Sequence, residues 1–204
     1  MTRRNCLIKD SNTYKQIYER TYFDIEPKNN KKLSNKDITR MIVTSAILMA
    51  LASVLKMFGI MITTEMRISF FQTPLILAGL MNGFGFGIVT SIGADLVYSL
   101  FSGYAFNPAF TLSAVYWGVL GGLFHYVVRK KGSLKWFIVV IGVFITSLLE
   151  THTNLLVTYI LYGSGTTMAA LLIKYAVLII KLPLISIIVI ILYNRVLKKL
   201  NLIK

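Results

Sequence analysis

The stretch MNGFGFGIVTSIGADLVYSLFSGYAFNPAFTLSA, residues 81–114, places a single acid, Asp95, in an uncharged run of glycine, aromatic and aliphatic residues. The whole chain is of the same kind: 55% of its 204 residues are hydrophobic, 15% are charged, and the mean hydropathy is +0.67. Soluble domains are about 45–50% apolar. The composition therefore predicts a membrane protein, in which a buried carboxylate needs a partner or a function.

The apolar residues come in blocks, and stretches of about 20 residues, the length of a membrane helix, recur from residue 41 onward. Transmembrane β-strands would instead show about ten residues of alternating polarity. The sequence therefore predicts an all-α membrane protein, a bundle of six transmembrane helices. The six predicted spans are 40–60, 68–82, 84–103, 109–128, 136–162 and 167–193.

Lysine and arginine are concentrated at one side of this predicted bundle. Residues 1–40 carry ten of them, residues 129–135 carry four, and residues 195–204 carry four. The positive-inside rule makes these segments cytoplasmic, so both termini lie inside the cell. The net charge of +14 then reflects topology and anionic headgroups. A nucleic-acid interface is disfavoured because the bases flank spans and form no stripe with aromatic residues.

The polar ends of the chain predict its domain organisation. Residues 1–39 are predicted to form a cytoplasmic extension without the apolar core of a cleavable signal peptide. Residues 40–197 form the transmembrane domain and residues 198–204 a basic cytoplasmic tail. Cys6 is the single cysteine, so an intramolecular disulfide or a cysteine metal cluster is excluded.

Two motifs superficially indicate enzyme chemistry. GFGFG at 83–87 lacks the preceding strand and the Lys-Ser/Thr pair of a phosphate-binding loop, and its small residues favour close helix contact instead. In ETHTN, the residues Glu150, His152 and Asn154 spread over about 200° of a helix, so they do not form one zinc-binding face. We therefore expect no metal and no cofactor. An intramembrane hydrolase using Glu150 and His152 is a distant alternative, since no nucleophile or second ligand pair is found at their depth.

Charged residues inside the spans cost at least about 2.5–3.5 kcal/mol each at mid-bilayer unless they are paired or face water. The candidates are Lys56, Asp95, Glu150, Lys174 and Lys181. Glu150 and Lys181 fall at similar predicted depth, so a salt bridge between them is one expectation. Arg67 and Lys174 lie near the outer mouth without a neighbouring acid, which favours an anionic solute.

Three stretches carry a resemblance to a known family: GLMNGFGFGIVTSIGADLVYSLF (79–101), FNPAFTLSAVYWGVLGGLF (106–124) and IKLPLISIIVIIL (180–192). With them, residues 40–197 resemble the substrate-binding S component of an energy-coupling factor (ECF) transporter, and most of all its folate-specific branch. The chain departs from that branch in SGYAFNPAF (102–110), which is shorter than the glycine- and tyrosine-rich loop usual before the FTLSA helix.

The resemblance implies a subunit that captures folate outside the cell with high affinity, does not itself hydrolyse ATP, and topples in the membrane to release the vitamin inward. The implied partners are a transmembrane T component, two ATPase subunits and membrane lipid, in the plasma membrane of a prokaryote. An S component for another vitamin, such as riboflavin or pantothenate, is the alternative.

A face of small residues on the first span is similar to the family's coupling motif for the T component. Ala46 and Ala50 in SAILMALA (45–52) form a small-xxx-small pair, and Ala52 and Ser53 add further small residues. Such a face permits close contact between helices in lipid.

A folate site needs groups for a pterin ring and for two glutamate carboxylates. Asp95 is predicted to pair with the adjacent amino and N–H groups of the ring, or alternatively to neutralise Lys56 or Lys181. Arg67 and Lys174, with Lys56 as a further candidate, would face the glutamate tail. The other predicted binding residues are aromatic (Phe70, Phe71, Phe106, Phe110, Trp117 and Tyr159) or neutral and polar (Asn107, Thr111, Ser113, His152 and Asn154).

Overall fold

The computed structural model describes residues 34–63, 66–103, 106–162 and 168–197. Within these ranges the chain forms six α-helices and one short β-hairpin, so all six predicted helical segments are present. The helices are α1 Asn35–Met57, α2 Gln72–Asn82, α3 Phe84–Ser102, α4 Pro108–Lys131, α5 Trp136–Tyr162 and α6 Met168–Leu192; a π-helical turn, Tyr193–Leu197, follows α6.

The second predicted span differs from the other five. Helix α2 has 11 residues, which at 1.5 Å per residue gives a length of about 16 Å, roughly half of the hydrocarbon core. The other five helices have the length and apolarity to cross a membrane. Before α2 the chain is extended, because β1 (Ile60–Thr63) pairs antiparallel with β2 (Met66–Ile68). The prediction of helix at 68–71 was therefore wrong.

The junction between α3 and α4 is set by its sequence. Helix α3 ends at Gly103, whose φ of 72° lies in the left-handed region that glycine adopts most easily. Helix α4 begins after Asn107, whose side-chain oxygen accepts a hydrogen bond of 3.0 Å from the Ala109 N–H. Pro108 takes the first helical position, where its missing N–H costs nothing.

Glycines bring α2, α3 and α4 into backbone contact. A Cβ atom placed on Gly87 of α3 or on Gly79 of α2 would overlap the Gly118 carbonyl oxygen of α4, and one on Gly122 would lie 2.6 Å from the Phe84 Cα. This confirms the packing interpretation of GFGFG for Gly87. It does not hold for Gly85, because a Cβ there meets nothing within 4 Å. We call this contact of the three helices the glycine junction.

Helix α4 lies at the centre of the bundle, in contact with α2, α3 and α5, and its last turn carries the exposed cations Arg129, Lys130 and Lys131. This is the predicted cytoplasmic end. The opposite end, which holds the C-terminus of α1 and the N-termini of α2 and α4, is called the outer end below. Residues 1–33 and 198–204 lie outside the described ranges, so the predicted cytoplasmic extension and tail stay predictions.

Candidate functional site

An ion pair lies at the outer end between α1 and α3. The Lys56 Nζ donates to the Asp95 Oδ1, and the Thr111 hydroxyl of α4 donates to the Asp95 Oδ2 at 2.5 Å. The Asp95 side chain is only 4% exposed, and that of Lys56 is 17% exposed. Both carboxylate oxygens of Asp95 are therefore bonded within the protein. Of the two roles predicted for Asp95, the structure describes the pairing with Lys56, and direct contact with a ligand stays a prediction.

Two aromatic rings complete the surroundings of this ion pair. The Lys56 ammonium lies 5.3 Å from the centre of the Phe71 ring and 4.7 Å from that of Tyr98. A cation over the face of an aromatic ring is stabilised by the ring's quadrupole. Phe71, predicted to stack on the ligand, is thus a buried neighbour of Lys56.

A second polar cluster begins where α2 begins. Gln72 is fully buried, and in the amide orientation that satisfies both of its polar atoms it donates to the Ser69 carbonyl at 2.7 Å and accepts from the Lys181 Nζ at 2.7 Å. Lys181 on α6 therefore reaches α2. The expected salt bridge between Lys181 and Glu150 is not formed: of these two described residues, only Lys181 has a polar partner.

Glu150 and His152 point away from each other, as their spacing predicted. Glu150 is half-buried, whereas His152 is exposed. The His152 Nδ1 contacts the Leu148 carbonyl oxygen of its own helix at 2.8 Å, and its Nε2 lies 3.4 Å from the Tyr175 hydroxyl of α6. The geometry brings no nucleophile to these two residues within the described part of the chain, which removes the basis for a hydrolase.

Several buried polar atoms near the outer half of the bundle have no hydrogen-bond partner among the described residues. Three of them belong to α2, α4 and α5: Thr73 Oγ1, Trp117 Nε1 and Asn154 Oδ1. A hydrogen bond of 3.3 Å between the Tyr116 and Thr153 hydroxyls places Trp117 and Asn154 at similar depth. Buried polar groups are normally bonded, so unbonded ones mark a place where a ligand or water can bind.

The predicted site residues are distributed unevenly. Asp95, Phe71, Thr111, Ser113 and Trp117 are buried, and Phe70, Asn107, Phe110 and Asn154 are half-buried. Phe106, His152 and Tyr159 are exposed, with Tyr159 at 56%. The side chains of Arg67 and Lys174 lie outside what the structure describes.

Two of the polar residues predicted to bind the ligand bond the backbone of their own helix instead. Ser113 donates to the Phe110 carbonyl of its own helix at 2.6 Å, and Asn107 caps α4. Conversely, sequence reasoning missed Gln72 and Thr73. Their signal was two adjacent polar residues in the otherwise apolar run FFQTPLILAG, residues 70–79.

The small residues of α1 face two directions. Ala46 and Ala50 are exposed, whereas Ala52 and Ser53 are buried against the bundle, and the Ser53 hydroxyl donates to the Ala94 carbonyl of α3 at 3.0 Å. Ala52 and Ser53 therefore do not extend the predicted coupling face. At the other end of α1, the Asn82 side-chain nitrogen bonds the Ser45 hydroxyl at 2.8 Å.

Comparison with known proteins bears on this arrangement. Residues 40–193 match the model of the family described as ECF transporter, substrate-specific component. The fold is similar to the crystal structure of FolT bound with folic acid, with a TM-score of 0.69 and 26% sequence identity. The similarity covers 77% of this chain and 96% of that chain, and it confirms the predicted all-α membrane fold. No curated protein sequence matches the chain.

Proposed function

Since this chain belongs to the substrate-specific (S) components of ECF transporters, a family of substrate-binding subunits and not of enzymes, we propose that it binds folate outside the membrane and passes it inward. The observation that carries the proposal is the similarity to FolT bound with folic acid, which extends over 96% of that chain. The buried polar atoms of α2, α4 and α5 that have no partner among the described residues support a ligand site in the outer half of the bundle.

The proposed partners are a transmembrane T component and two ATPase subunits. An S component has no ATPase of its own, so the energy for release has to come from other chains. The exposed Ala46–Ala50 pair on α1 supports docking of a helix from the T component, because small side chains allow two helix backbones to approach closely.

The proposed location is the plasma membrane of a prokaryote, with the outer end facing the medium. The cations in the last turn of α4 support this orientation, since lysine and arginine favour the cytoplasmic side. Folate would then enter from the end that holds Lys56, which is also the side on which the sequence predicts contacts of Arg67 and Lys174 with the glutamate tail.

Calorimetry on the purified solitary chain tests the proposal. Titration with folate should give nanomolar affinity, about −12 kcal/mol, because a scavenger has to capture a scarce solute. Riboflavin and pantothenate, titrated in parallel, should give no heat of binding. Binding of one of these vitamins without binding of folate would assign the chain to a different substrate within the same family.

A further inference from the structure

Glu150 lies on the buried face of α5. Val143, Thr146 and Ser147 precede it by seven, four and three residues, Val157 follows it by seven, and all four are buried. Residues at these spacings share one face of an α-helix. The carboxyl group of Glu150 therefore faces the interior of the bundle and not the lipid.

Glu150 has no bonded partner there. Asp95 is held by Lys56 and Thr111, whereas Glu150 has no hydrogen bond or ion pair among the residues that the structure describes. A carboxylate without a partner is costly inside a membrane protein, and such residues usually serve a function. The sequence predicted Asp95 as the carboxylate for the ligand, but of these two described acids only Glu150 has oxygens without a bonded partner.

A cation and an N–H donor face the same interior. The Lys181 ammonium of α6 bonds the buried side-chain amide of Gln72. This amide is neutral, so no ion pair within the described part of the chain compensates the charge of Lys181. Trp117 lies on α4 between Tyr116, which bonds α5, and Gly121, which contacts α2. The indole therefore points between α5 and α2, and its N–H has no partner in the described structure. Acid, cation and donor thus come from α5, α6 and α4.

We propose that Glu150 recognises the pterin ring of folate, with Lys181, Gln72 and Trp117 on the other side of the ring. This assignment rests on the function proposed above. A pterin presents an amino group beside a ring N–H, and a carboxylate accepts both in a bidentate arrangement. The carbonyl and ring nitrogens of the neighbouring edge accept hydrogen bonds, which an ammonium and an indole N–H supply. The ring thereby separates two opposite charges that do not reach each other.

The test compares the parent chain with Glu150→Gln, which keeps the size of the side chain and removes its charge. Both are titrated with folate and with a folate analogue that carries hydrogen in place of the 2-amino group. The parent should bind the analogue about tenfold to a hundredfold more weakly than folate, the loss expected for a charge-assisted hydrogen bond. Glu150→Gln should bind folate more weakly by a similar factor and should hardly distinguish the two ligands.

Thr146→Val is the matched control, because it changes a buried polar residue one turn away on the same face of α5. It should bind both ligands like the parent. The melting temperature without ligand is the second readout. Because Glu150 has no bonded partner among the described residues, Glu150→Gln should melt no lower than the parent. Should that variant not fold, Glu150→Asp is the substitute, because it keeps the charge and shortens the side chain. It should lower the affinity for folate more than the affinity for the analogue.

Three results would overturn the assignment. If Glu150→Gln discriminates between folate and the analogue as the parent does, a residue other than Glu150 binds the 2-amino group of the pterin ring. If it melts early and, once folded, binds folate like the parent, Glu150 is structural. If the parent itself binds no folate, the proposed function fails and this assignment fails with it, which differs from the first two results because there the parent binds.

Discussion

Lys56 and Asp95 join the outer end of α1 to the middle of α3, and they do so among largely apolar neighbours. Breaking a buried pair by removing one partner leaves an uncompensated charge and costs about 3–5 kcal/mol, far more than an exposed pair contributes. The pair therefore stabilises the folded state, and its loss should lower the melting temperature even without ligand.

Asp95→Asn should lower the melting temperature of the ligand-free protein in detergent, since Lys56 then keeps its charge without a counter-ion. The double variant Lys56→Met/Asp95→Asn, which removes the stranded charge, should recover much of the loss. Once folded, Asp95→Asn should still bind folate and pteroate, a compound that lacks the glutamate tail. If Asp95→Asn melts like the parent but binds folate and pteroate equally more weakly, Asp95 itself binds the pterin ring.

The glycine junction should tolerate no side chain. Gly87→Ala forces a Cβ against the Gly118 carbonyl, and overpacking of this kind costs about 1–3 kcal/mol or more. Gly85→Ala is the control, because it lies in the same helix, meets nothing within 4 Å, and should be neutral or stabilising by up to about 1 kcal/mol. Thermal melting of both variants checks this, and equal stability would show that the three helices can separate.

Bulk on the exposed small residues of α1 should abolish uptake and spare binding. Ala46→Trp and Ala50→Trp would prevent close approach of a partner helix while leaving the interior unchanged. Leu51→Trp, at an exposed position on another side of α1, is the control and should transport normally. Folate binding by the purified variants and uptake by cells that express the complete transporter are the two measurements. Loss of binding in Ala46→Trp or Ala50→Trp would show that the pair packs internally.

The outer cations should distinguish folate from pteroate. Arg67→Ala or Lys174→Ala should weaken the binding of folate by about 1.5–3 kcal/mol, the usual value for a hydrogen bond to a charged group. Pteroate lacks the glutamate carboxylates and should be affected little. Calorimetry with both compounds checks this prediction, and an equal loss for both would place these cations near the ring or assign them a structural role.

The helices were predictable because their signals are local. Apolar stretches of sufficient length, Gly103 after α3, and the Asn107–Pro108 pair before α4 all act within a few residues. The hairpin and the short α2 were not predictable, since the apolar runs at 58–62 and 74–81 are short, and neither length nor periodicity separates a strand from a buried helix in runs of that size.

The partners of the charged residues were harder to predict than their depth. Glu150 and Lys181 were matched by depth, yet Lys181 reaches Gln72 on α2. Depth follows from counting residues along a helix, whereas the choice of partner depends on which helices are neighbours and how each is rotated. For the same reason the sequence left Asp95 open between Lys56 and Lys181, and the packing of α1 on α3 decided for Lys56.

Helix α1 is bonded to Asn82 of α2 through Ser45, and to α3 through the Ser53–Ala94 hydrogen bond and the Lys56–Asp95 ion pair. Ser45 and Lys56 are eleven residues apart, about 16 Å along the helix, and Ala46 and Ala50 lie between them. If a partner helix docks on this pair, as proposed above, we expect its force on α1 to reach α2 and α3 through these bonded side chains.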